Sequence, residues 1–400
     1  MNLEGKTIVL GVTGSIAVYK ASDLASKLTQ QHARVDVVMT PAATEFVKPL
    51  TFRSVTGRPV TVDMFQANTE FNIEHVALAQ AADIVVVAPA SANTIAKMAC
   101  GIADNMLCST VLATKAPVMV APAMNVNMWE NQVTQENVEK LRKRGYVIVG
   151  PAHGWLAEGR VGYGRMEEPP VIMEGIRQVL GRNGDLAGTR IVVTAGGTQE
   201  PIDPVRHITN RSSGKMGYAI AEAARDRGAA VTLVAAPTAL PDPYGVDAVH
   251  VSTAEEMFQA VTKATKSCEA LVMAAAVADY RPHSGASQKI KKLDDELTLN
   301  LVRTTDILGS IKGDFVKVGF AAETADLVAN ATKKLTGKKL DLIVANDITR
   351  SDAGFSSEMN RVILIGQNAE PVELPLMPKR QVADAILDWV AALLVRRKQK

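Results

Sequence analysis

The stretch TIVLGVTGSI, residues 7–16, decides the fold of the N-terminal half. Its first six residues are mostly β-branched or aliphatic, which is typical of a strand buried on both faces of a parallel sheet. The small residues Thr13, Gly14 and Ser15 predict a tight turn, and a helix is expected to begin near Ile16. A strand that enters a helix through such a turn indicates a parallel α/β sheet.

Other short apolar runs continue this alternation of strand and helix along the chain. Amphipathic segments separate them, which favours parallel strands joined by helices. A second cycle begins near Arg190, so we predict two tandem α/β units with open parallel sheets. The further predicted strands are Val35–Met39, Asp83–Ala88, Val118–Ala121, Arg190–Thr194, Ala230–Val234, Ala270–Ala275, Lys317–Phe320 and Asp341–Ala345.

The chain length also favours two domains. Its 400 residues exceed what one hydrophobic core usually organises. Between the two cycles lie a glycine-rich stretch (154–165), a predicted helix ending near Leu180 and the polar turn Asn183-Gly184-Asp185. We therefore place the domain boundary near residue 185, giving domains 1–185 and 186–400.

Charge and cysteine usage exclude several classes of protein. The formal net charge of +2 argues against bulk attraction to nucleic acid or an anionic membrane. No apolar run reaches the length of a membrane span, and the start of the chain lacks a signal peptide pattern. Cys100, Cys108 and Cys268 show neither metal-ligand spacing nor a disulfide framework. We expect a cytoplasmic protein without a membrane or nucleic-acid partner.

The turn after the first strand is a candidate phosphate site. Backbone N–H groups and the dipole of the following helix would face an anion there, with Gly11, Thr13, Gly14 and Ser15 as candidate cofactor residues. The alternative is a tight turn that merely needs small side chains. The turn differs from the GxGxxG fingerprint, which favours a mononucleotide over NAD.

Two later loops follow strands and carry polar side chains. The loop Pro89–Thr94 offers Ser91, Asn93 and Thr94, and the loop Pro122–Trp129 combines an amide with thioether and indole surface. Ligands of open α/β sheets bind at the carboxyl ends of the strands, where these loops would lie. Each loop taken singly could instead be a packed structural element.

Together with His75, these three motifs resemble the flavin-containing cysteine decarboxylases. The resemblance implies a flavodoxin-like domain that binds FMN, a catalytic His75, and an Asn125 that holds the substrate carboxylate. A histidine also suits proton transfer near neutral pH. The flavin is needed because oxidation of the substrate thiol creates the electron sink for loss of CO₂.

The segment LAEGRVGYGRM, residues 156–166, departs from that family. Glu158 stands where the family's flap motif has a proton-donating cysteine. A glutamic acid in a closed, dry site can stay protonated and act as donor. The alternative is a solvent-facing Glu158, which would leave an active ligase fused to a flavin-binding domain impaired in decarboxylation.

The second half resembles the phosphopantothenate–cysteine ligases. The resemblance is carried by residues 190–217, in which a strand enters a glycine-rich turn and a helix is predicted to start near Met216. A Rossmann-like domain is expected. Further segments of the same pattern are Ala274–Tyr280, Lys289–Lys292, Thr305–Leu308, Gly319–Thr324 and Ala345–Asp347.

The ligase resemblance implies a set of site residues. Asn210 and Arg206 would bind the activated acyl intermediate, and Lys289 would neutralise phosphate charge together with Mg²⁺, whose ligands the sequence does not identify. A solvated run of lysines is the alternative for Lys289. The implied CTP contacts are Met273, Ala274, Ala275, Asp279, Lys289, Thr305, Asp306, Ile307, Leu308, Phe320, Lys334 and Lys338.

The two resemblances together imply a bifunctional enzyme of coenzyme A synthesis. Its substrates would be 4'-phosphopantothenate, cysteine and CTP, and its family assembles trimeric decarboxylase and dimeric ligase units, so a dodecameric homo-oligomer is expected, with residues 212–217 near the ligase dimer contact. The alternatives are a flavoprotein acting on peptidyl cysteines, a prenyl-flavin synthase, a scaffold flavoprotein and a nicotinamide dehydrogenase.

Overall fold

The computed structural model describes residues 3–64, 74–291, 297–323, 326–347, 357–367 and 369–399. The chain divides into two compact units, Met1–Leu180 and Gly181–Lys400. Each unit has its own main sheet with helices packed against it. The predicted pair of tandem α/β units is therefore confirmed, whereas the domain boundary at residue 185 stays a prediction.

The N-terminal unit alternates strands and helices up to a hairpin and a final helix. Its elements are β1 (Thr7–Val12), α1 (Val18–Gln30), β2 (Arg34–Met39), α2 (Pro41–Thr44), α3 (Pro49–Thr56), β3 (Val60–Thr61), α4 (Glu74–Ala81), β4 (Ile84–Ala90), α5 (Ala92–Cys100), α6 (Met106–Ala113), β5 (Val118–Pro122), α7 (Val126–Glu130), α8 (Gln132–Lys143), β6 (Val147–Ile148), β7 (Ala152–Trp155), β8 (Val161–Arg165) and α9 (Pro169–Gly181).

The main sheet of this unit has six strands in the order β3-β2-β1-β4-β5-β6, all parallel. β1 pairs with both β2 and β4, and its residues from Ile8 to Val12 are buried. The chain leaves β1 toward β2 on one side and returns to β4 on the other. The loops after β1 and β4 therefore part from each other at the carboxyl edge and leave room for a ligand.

The C-terminal unit adds three short two-stranded elements and a long final helix. Its elements are β9 (Arg190–Ala195), β10 (Gln199–Pro201), β11 (His207–Thr209), α10 (Lys215–Arg225), β12 (Ala230–Ala235), β13 (Asp247–His250), α11 (Ala254–Ala264), β14 (Ala270–Met273), β15 (Tyr280–Pro282), β16 (Leu301–Arg303), α12 (Ile307–Ser310), β17 (Val316–Glu323), α13 (Leu327–Gly337), β18 (Leu342–Asp347), β19 (Met359–Gly366), β20 (Val372–Pro378) and α14 (Lys379–Lys398).

Its main sheet has the order β13-β12-β9-β14-β17-β18-β19-β20. The strands from β13 to β18 are parallel, whereas β19 and β20 run antiparallel to their neighbours. This antiparallel edge is not part of the sequence prediction. It arises because the connection from Gly366 to Val372 is too short for the crossover that a parallel strand requires.

Apolar side chains from both faces of this sheet are buried. Val193 of β9, Leu233 of β12 and Val318 of β17 are fully buried, and they join one cluster with Ile386 and Val390 of α14. The sheet is thereby fixed against its helices, which holds the loops at its carboxyl edge in place. Across the described residues, the helices include none with the length and apolarity that a membrane span requires.

Candidate active sites

A cavity of about 550 Å³ opens in the N-terminal unit where β1, β4 and β5 end. This size is typical of ligand pockets, which range from about 300 to 1,000 Å³. Gly14 and Ser15 line it from the loop after β1, Ser91 from the loop after β4, and Asn125 from the loop after β5. Glu158 lines it from the hairpin of β7 and β8. Candidate residues that lie far apart in the sequence therefore surround one space.

The start of α1 suits an anion. This helix has no side-chain cap and no acidic residue in its first turn, so its N-terminal dipole is not neutralised within the helix. A Cβ atom at Gly14 would lie 2.7 Å from the Cβ of Ala42, so only glycine fits there. The backbone of this loop can therefore approach a phosphate closely, which fits the predicted FMN.

Thr13 joins the loops after β1 and β4. Its buried hydroxyl donates to the carbonyl of Pro89 at 2.7 Å and accepts from the N–H of Ser91 at 2.9 Å. Ser91 in turn caps α5 by accepting from the N–H of Thr94 at 3.3 Å. Thr13 and Thr94 thus position Ser91 without lining the cavity. The predicted cofactor residues outside the cavity lining are Gly11, Thr13, Asn93 and Thr94.

Asn125 is held by the helix that it caps. Its Oδ1 accepts from the N–H groups of Asn127, at 2.8 Å, and Met128, at 3.4 Å. This leaves Nδ2 as the donor toward the cavity, where it donates to Oε1 of Glu158 at 2.5 Å. Although the Glu158 side chain is exposed, its carboxylate faces the residue predicted to hold the substrate carboxylate.

A buried lysine that sequence analysis missed anchors the flap hairpin. Lys20 of α1 is 5% exposed, and its ammonium donates to the carbonyl of Met166 at 2.8 Å and to Oε1 of Glu168 at 2.9 Å. Arg165 donates to the same Glu168 oxygen at 2.6 Å. The hydrogen bond from Lys20 lowers the pKa of Glu168. These contacts fix the end of β8 against α1 beside the cavity.

In the C-terminal unit, a cavity of about 540 Å³ gathers most of the predicted CTP contacts. They come from β14, the loop after it, α12, β17 and α13, which are separated by long stretches of sequence. Asp306 caps α12 and pairs with Lys338 at 2.8 Å, so the two sides of the cavity are tied together. The predicted residues in the lining are Met273, Ala275, Asp279, Thr305, Asp306, Ile307, Leu308, Phe320, Lys334 and Lys338.

A second cavity, of about 410 Å³, adjoins the first and shares Ala275, Asp279 and Phe320 with it. It contains the predicted Ala274 and Asn210, whose Nδ2 donates to the carbonyls of Ala276 and Val277 at 3.3 and 3.2 Å. Asn346 also lines it. The buried Oδ1 of Asn346 has no hydrogen-bond partner among the described residues, so it can accept from a ligand.

Arg206 and Lys289 lie outside both linings. Arg206 Nε donates to Oδ2 of Asp203 at 3.0 Å, and its Nη2 donates to the carbonyl of Ile290 at 3.0 Å. Ile290 N–H donates to the same Asp203 oxygen at 3.1 Å. Hydrogen bonds from Arg206 hold the pKa of Asp203 far below its usual range. Asp203 and Arg206 therefore anchor the loop that carries the exposed Lys289.

Both units match known families. Residues 1–181 match the Flavoprotein family, and residues 186–394 match the DNA/pantothenate metabolism flavoprotein C-terminal domain. The coenzyme A biosynthesis bifunctional protein CoaBC of Vibrio vulnificus is 45% identical over 398 residues, covering 98% of this chain and 99% of the relative. That of Bacillus subtilis is 44% identical over 397 residues, covering 98% of both. The chain belongs to the CoaBC family.

A solved structure of the C-terminal domain of a CoaBC protein is 42% identical to this chain. It covers 53% of this chain and 99% of its own length, with a TM-score of 0.46.

His75 is half-buried in the first turn of α4 and is not among the residues that line the N-terminal cavity. Its catalytic role stays a prediction. Among the described residues, no cysteine lines this cavity either, so none replaces the cysteine that CoaBC proteins are expected to carry at position 158. Burial raises the pKa of the Cys108 thiol, and burial raises that of Cys268 to about 11, which makes both poor nucleophiles.

The described residues contain no group of three or more His, Cys, Asp or Glu side chains that could hold a metal ion. Protein carboxylates bind Mg²⁺ in small numbers, and substrate phosphates and water complete its shell. The structure therefore offers no all-protein magnesium site in its described part, and any Mg²⁺ of this CoaBC protein has to depend on substrate phosphates.

Sequence analysis quoted several residues without seeing their importance. Asp203 stood in the ligase motif, but its role depends on an exposed loop more than 80 residues later, which includes Ile290. Lys20 looked like one charge in an ordinary amphipathic helix. Its burial follows from packing against the end of β8, which no local pattern shows.

We expect replacement of Asp203 by asparagine to lower ligase turnover about 100-fold. An amide nitrogen in place of Oδ2 would face the N–H donors of Arg206 and Ile290, so the loop with Lys289 would lose its anchor. Pyrophosphate release measures the effect. Asp185→Asn is the matched control, because Asp185 also pairs with an arginine, Arg227, but holds no part of this loop. Turnover of Asp203→Asn equal to that of the wild type would refute the anchoring role.

Proposed function

We propose that this chain catalyses two consecutive steps of coenzyme A synthesis. The C-terminal unit ligates 4'-phosphopantothenate to cysteine with CTP, and the N-terminal unit decarboxylates the product to 4'-phosphopantetheine with FMN. The observation that carries the ligase assignment is the pair of adjoining cavities, one lined by the predicted CTP contacts and the other by Asn210.

Two adjoining cavities suit a reaction in which a carboxylate must first be activated. CTP binds in the cavity of Lys334 and Lys338, whose charges balance its phosphates. The acyl part binds beside Asn210, and the shared wall at Ala275 and Asp279 lets the two substrates meet. Attack of the carboxylate on the α-phosphorus releases pyrophosphate, and the cysteine amine then displaces CMP. Mg²⁺ accompanies CTP and neutralises phosphate charge.

In the N-terminal unit, the residues of the cavity divide the work between binding and proton transfer. FMN, when bound, accepts electrons from the substrate thiol and returns them after CO₂ has left. The N-terminus of α1 binds the phosphate of FMN, and Gly14 lets it approach. Asn125 binds the substrate carboxylate through Nδ2, and Glu158 donates the final proton. His75 serves as a catalytic residue.

The assembly and location follow from the same family assignment. We infer a homo-oligomer of trimeric decarboxylase and dimeric ligase units in the cytoplasm, where the substrates of coenzyme A synthesis are made. Size-exclusion chromatography with light scattering measures the number of subunits.

The alternative of an active ligase beside an impaired flavin domain has no support from the comparisons. The contact between Glu158 and Asn125 also disfavours it, because a carboxylate held at the substrate site can act in the reaction. A peptidyl-cysteine decarboxylase, a prenyl-flavin synthase and a nicotinamide dehydrogenase all leave the ligase unit without a purpose.

The full reaction tests the proposal. Purified protein is given 4'-phosphopantothenate, cysteine, CTP and Mg²⁺, while pyrophosphate, CO₂ and the acyl products are followed by mass. We expect pyrophosphate and 4'-phosphopantetheine in equal amounts, with loss of both when Mg²⁺ is chelated. Accumulation of 4'-phosphopantothenoylcysteine without CO₂ would contradict the decarboxylase assignment, and absence of pyrophosphate would contradict the ligase assignment.

A further inference from the structure

Two lysines in the Asn210 cavity have no role in the function proposed above. Lys215 is the first residue of α10, and Lys379 is the first residue of α14. The N-terminus of a helix carries partial positive charge, so a cation is disfavoured there. Neither helix has an acidic residue in its first turn to offset this. Both lysines therefore lie where their own helix opposes them.

Burial and mutual repulsion add to that cost for Lys379. Its side chain lines the cavity although the residue is only 6% exposed, and its ammonium donates to the carbonyl of Ser357. Burial lowers the pKa of Lys379, and the charge of Lys215 lowers it further. A cation kept under these conditions inside a cavity is typical of a site that meets an anion.

Glu358 supplies the carboxylate nearest to this pair. Its Oε1 accepts from the Lys215 ammonium at 2.5 Å, and its side chain is 81% exposed. Exposed ion pairs contribute little to stability, so a stronger anion can displace this carboxylate at small cost. Glu358 thus behaves as an exchangeable counter-ion for Lys215.

The start of α10 is open to the same space. Gly214 precedes the helix with a φ of 76°, and no side chain caps the N–H groups that follow. A Cβ atom at Gly217 would lie 2.6 Å from both the Thr194 carbonyl oxygen and the Ala195 Cβ. Gly217 therefore permits close packing of α10 on β9, which keeps the helix terminus at the cavity.

We propose that Lys215, Lys379 and the N-terminus of α10 form a phosphate subsite of the ligase, which Glu358 occupies until substrate arrives. This inference rests on the proposed ligase function, because that reaction brings two phosphate-bearing substrates to the unit. The phosphate belongs either to CTP or to the 4'-phosphate of phosphopantothenate. Both present the same chemistry, a phosphoryl group with at least one full negative charge.

The substitution Lys379→Met tests the subsite because it keeps the length of the side chain and removes its charge. In the full-length protein, pyrophosphate release gives kcat and the KM for CTP, phosphopantothenate and cysteine. We expect the KM of one phosphate-bearing substrate to rise about 10- to 100-fold, as for loss of a charge-assisted hydrogen bond, with the KM of cysteine unchanged. Lys379→Arg retains the charge and should stay within a few-fold of the wild type.

The two sources of phosphate give different results. A rise confined to CTP assigns the subsite to the nucleotide. A rise confined to phosphopantothenate assigns it to the 4'-phosphate, and unphosphorylated pantothenate should then be used equally poorly by the wild type and by Lys379→Met. Under either assignment, Glu358→Gln lowers the same KM about two- to fivefold, because the competing carboxylate is gone.

Thermal stability separates this role from a structural one. Removal of a buried cation that has a binding role leaves the Tm unchanged or raises it, since apolar replacements of buried charges are often neutral or stabilising. Lys263→Met on the exposed surface of α11 is the matched control and should change neither KM nor Tm. A lowered Tm with all three KM values unchanged would overturn the subsite. Wild-type protein that releases no pyrophosphate would instead overturn the ligase function itself.

Discussion

Replacement of Asn125 by aspartate should lower kcat/KM for decarboxylation about 1,000-fold and leave the ligase reaction unchanged. One oxygen of the new carboxylate would still accept from the N–H groups of Asn127 and Met128, so α7 stays capped. The other oxygen would replace the Nδ2 donor. It would repel both the substrate carboxylate and Glu158, and an unpaired charge in a desolvated site costs about 3–5 kcal/mol.

Decarboxylation is measured as CO₂ release from 4'-phosphopantothenoylcysteine, and ligation as pyrophosphate release by the same protein. Asn131→Asp is the matched control. Asn131 also caps a helix, α8, by accepting from the N–H of Val133 at 3.0 Å, but it does not line the cavity. Decarboxylation by Asn125→Asp within tenfold of the wild type would show that this amide does not bind the substrate carboxylate.

The sequence predicted the strands well because buried parallel strands are continuous apolar runs. β1 and β9 have the predicted starts, at Thr7 and Arg190, and both are followed by the predicted turn and helix. The last two strands of the C-terminal sheet were not predicted. β20 alternates exposed and half-buried residues at a sheet edge, so it lacks the apolar run that marks an interior strand.

The candidate sites were predicted unevenly, and the reason is physical. Residues in loops directly after strands, such as Ser91 and Asn125, are brought to one edge by the parallel topology alone. Lys379 could not be found in this way. It lies on the helix after an antiparallel strand, and only the packing of α14 against α10 brings it to the cavity of Asn210.

Position 158 is the point at which this chain differs from the expected flap sequence, and the structure narrows its interpretation. A solvent-facing glutamate would make no contact at the substrate site, yet Glu158 accepts from Asn125 there. The carboxyl group of Glu158 is therefore within reach of the carbon that loses CO₂ whenever Asn125 holds the substrate carboxylate. Protonation of that carbon is the step that the missing cysteine would otherwise perform.

We expect Glu158→Gln to lower decarboxylase turnover about 100- to 1,000-fold, the usual range for loss of a general acid. The amide oxygen of the new side chain can still accept from Asn125 Nδ2, so the flap keeps its contact, but no acidic proton remains. The reaction should stop after CO₂ has left, and the enethiol should accumulate. Rapid-quench mass spectrometry measures both, while retention of flavin colour on a desalting column shows that cofactor binding is intact.

Two further variants separate proton donation from mere closure of the flap. Glu158→Cys should recover a large part of the turnover, because a thiol can donate the proton. Glu158→Ala, which removes both the contact with Asn125 and the acid, should be as slow as Glu158→Gln and also raise KM. Glu139→Gln on the exposed side of α8 controls for loss of a surface charge. If Glu158→Gln turns over at the wild-type rate without accumulating enethiol, the proton comes from another donor, and Glu158 only holds the flap against Asn125.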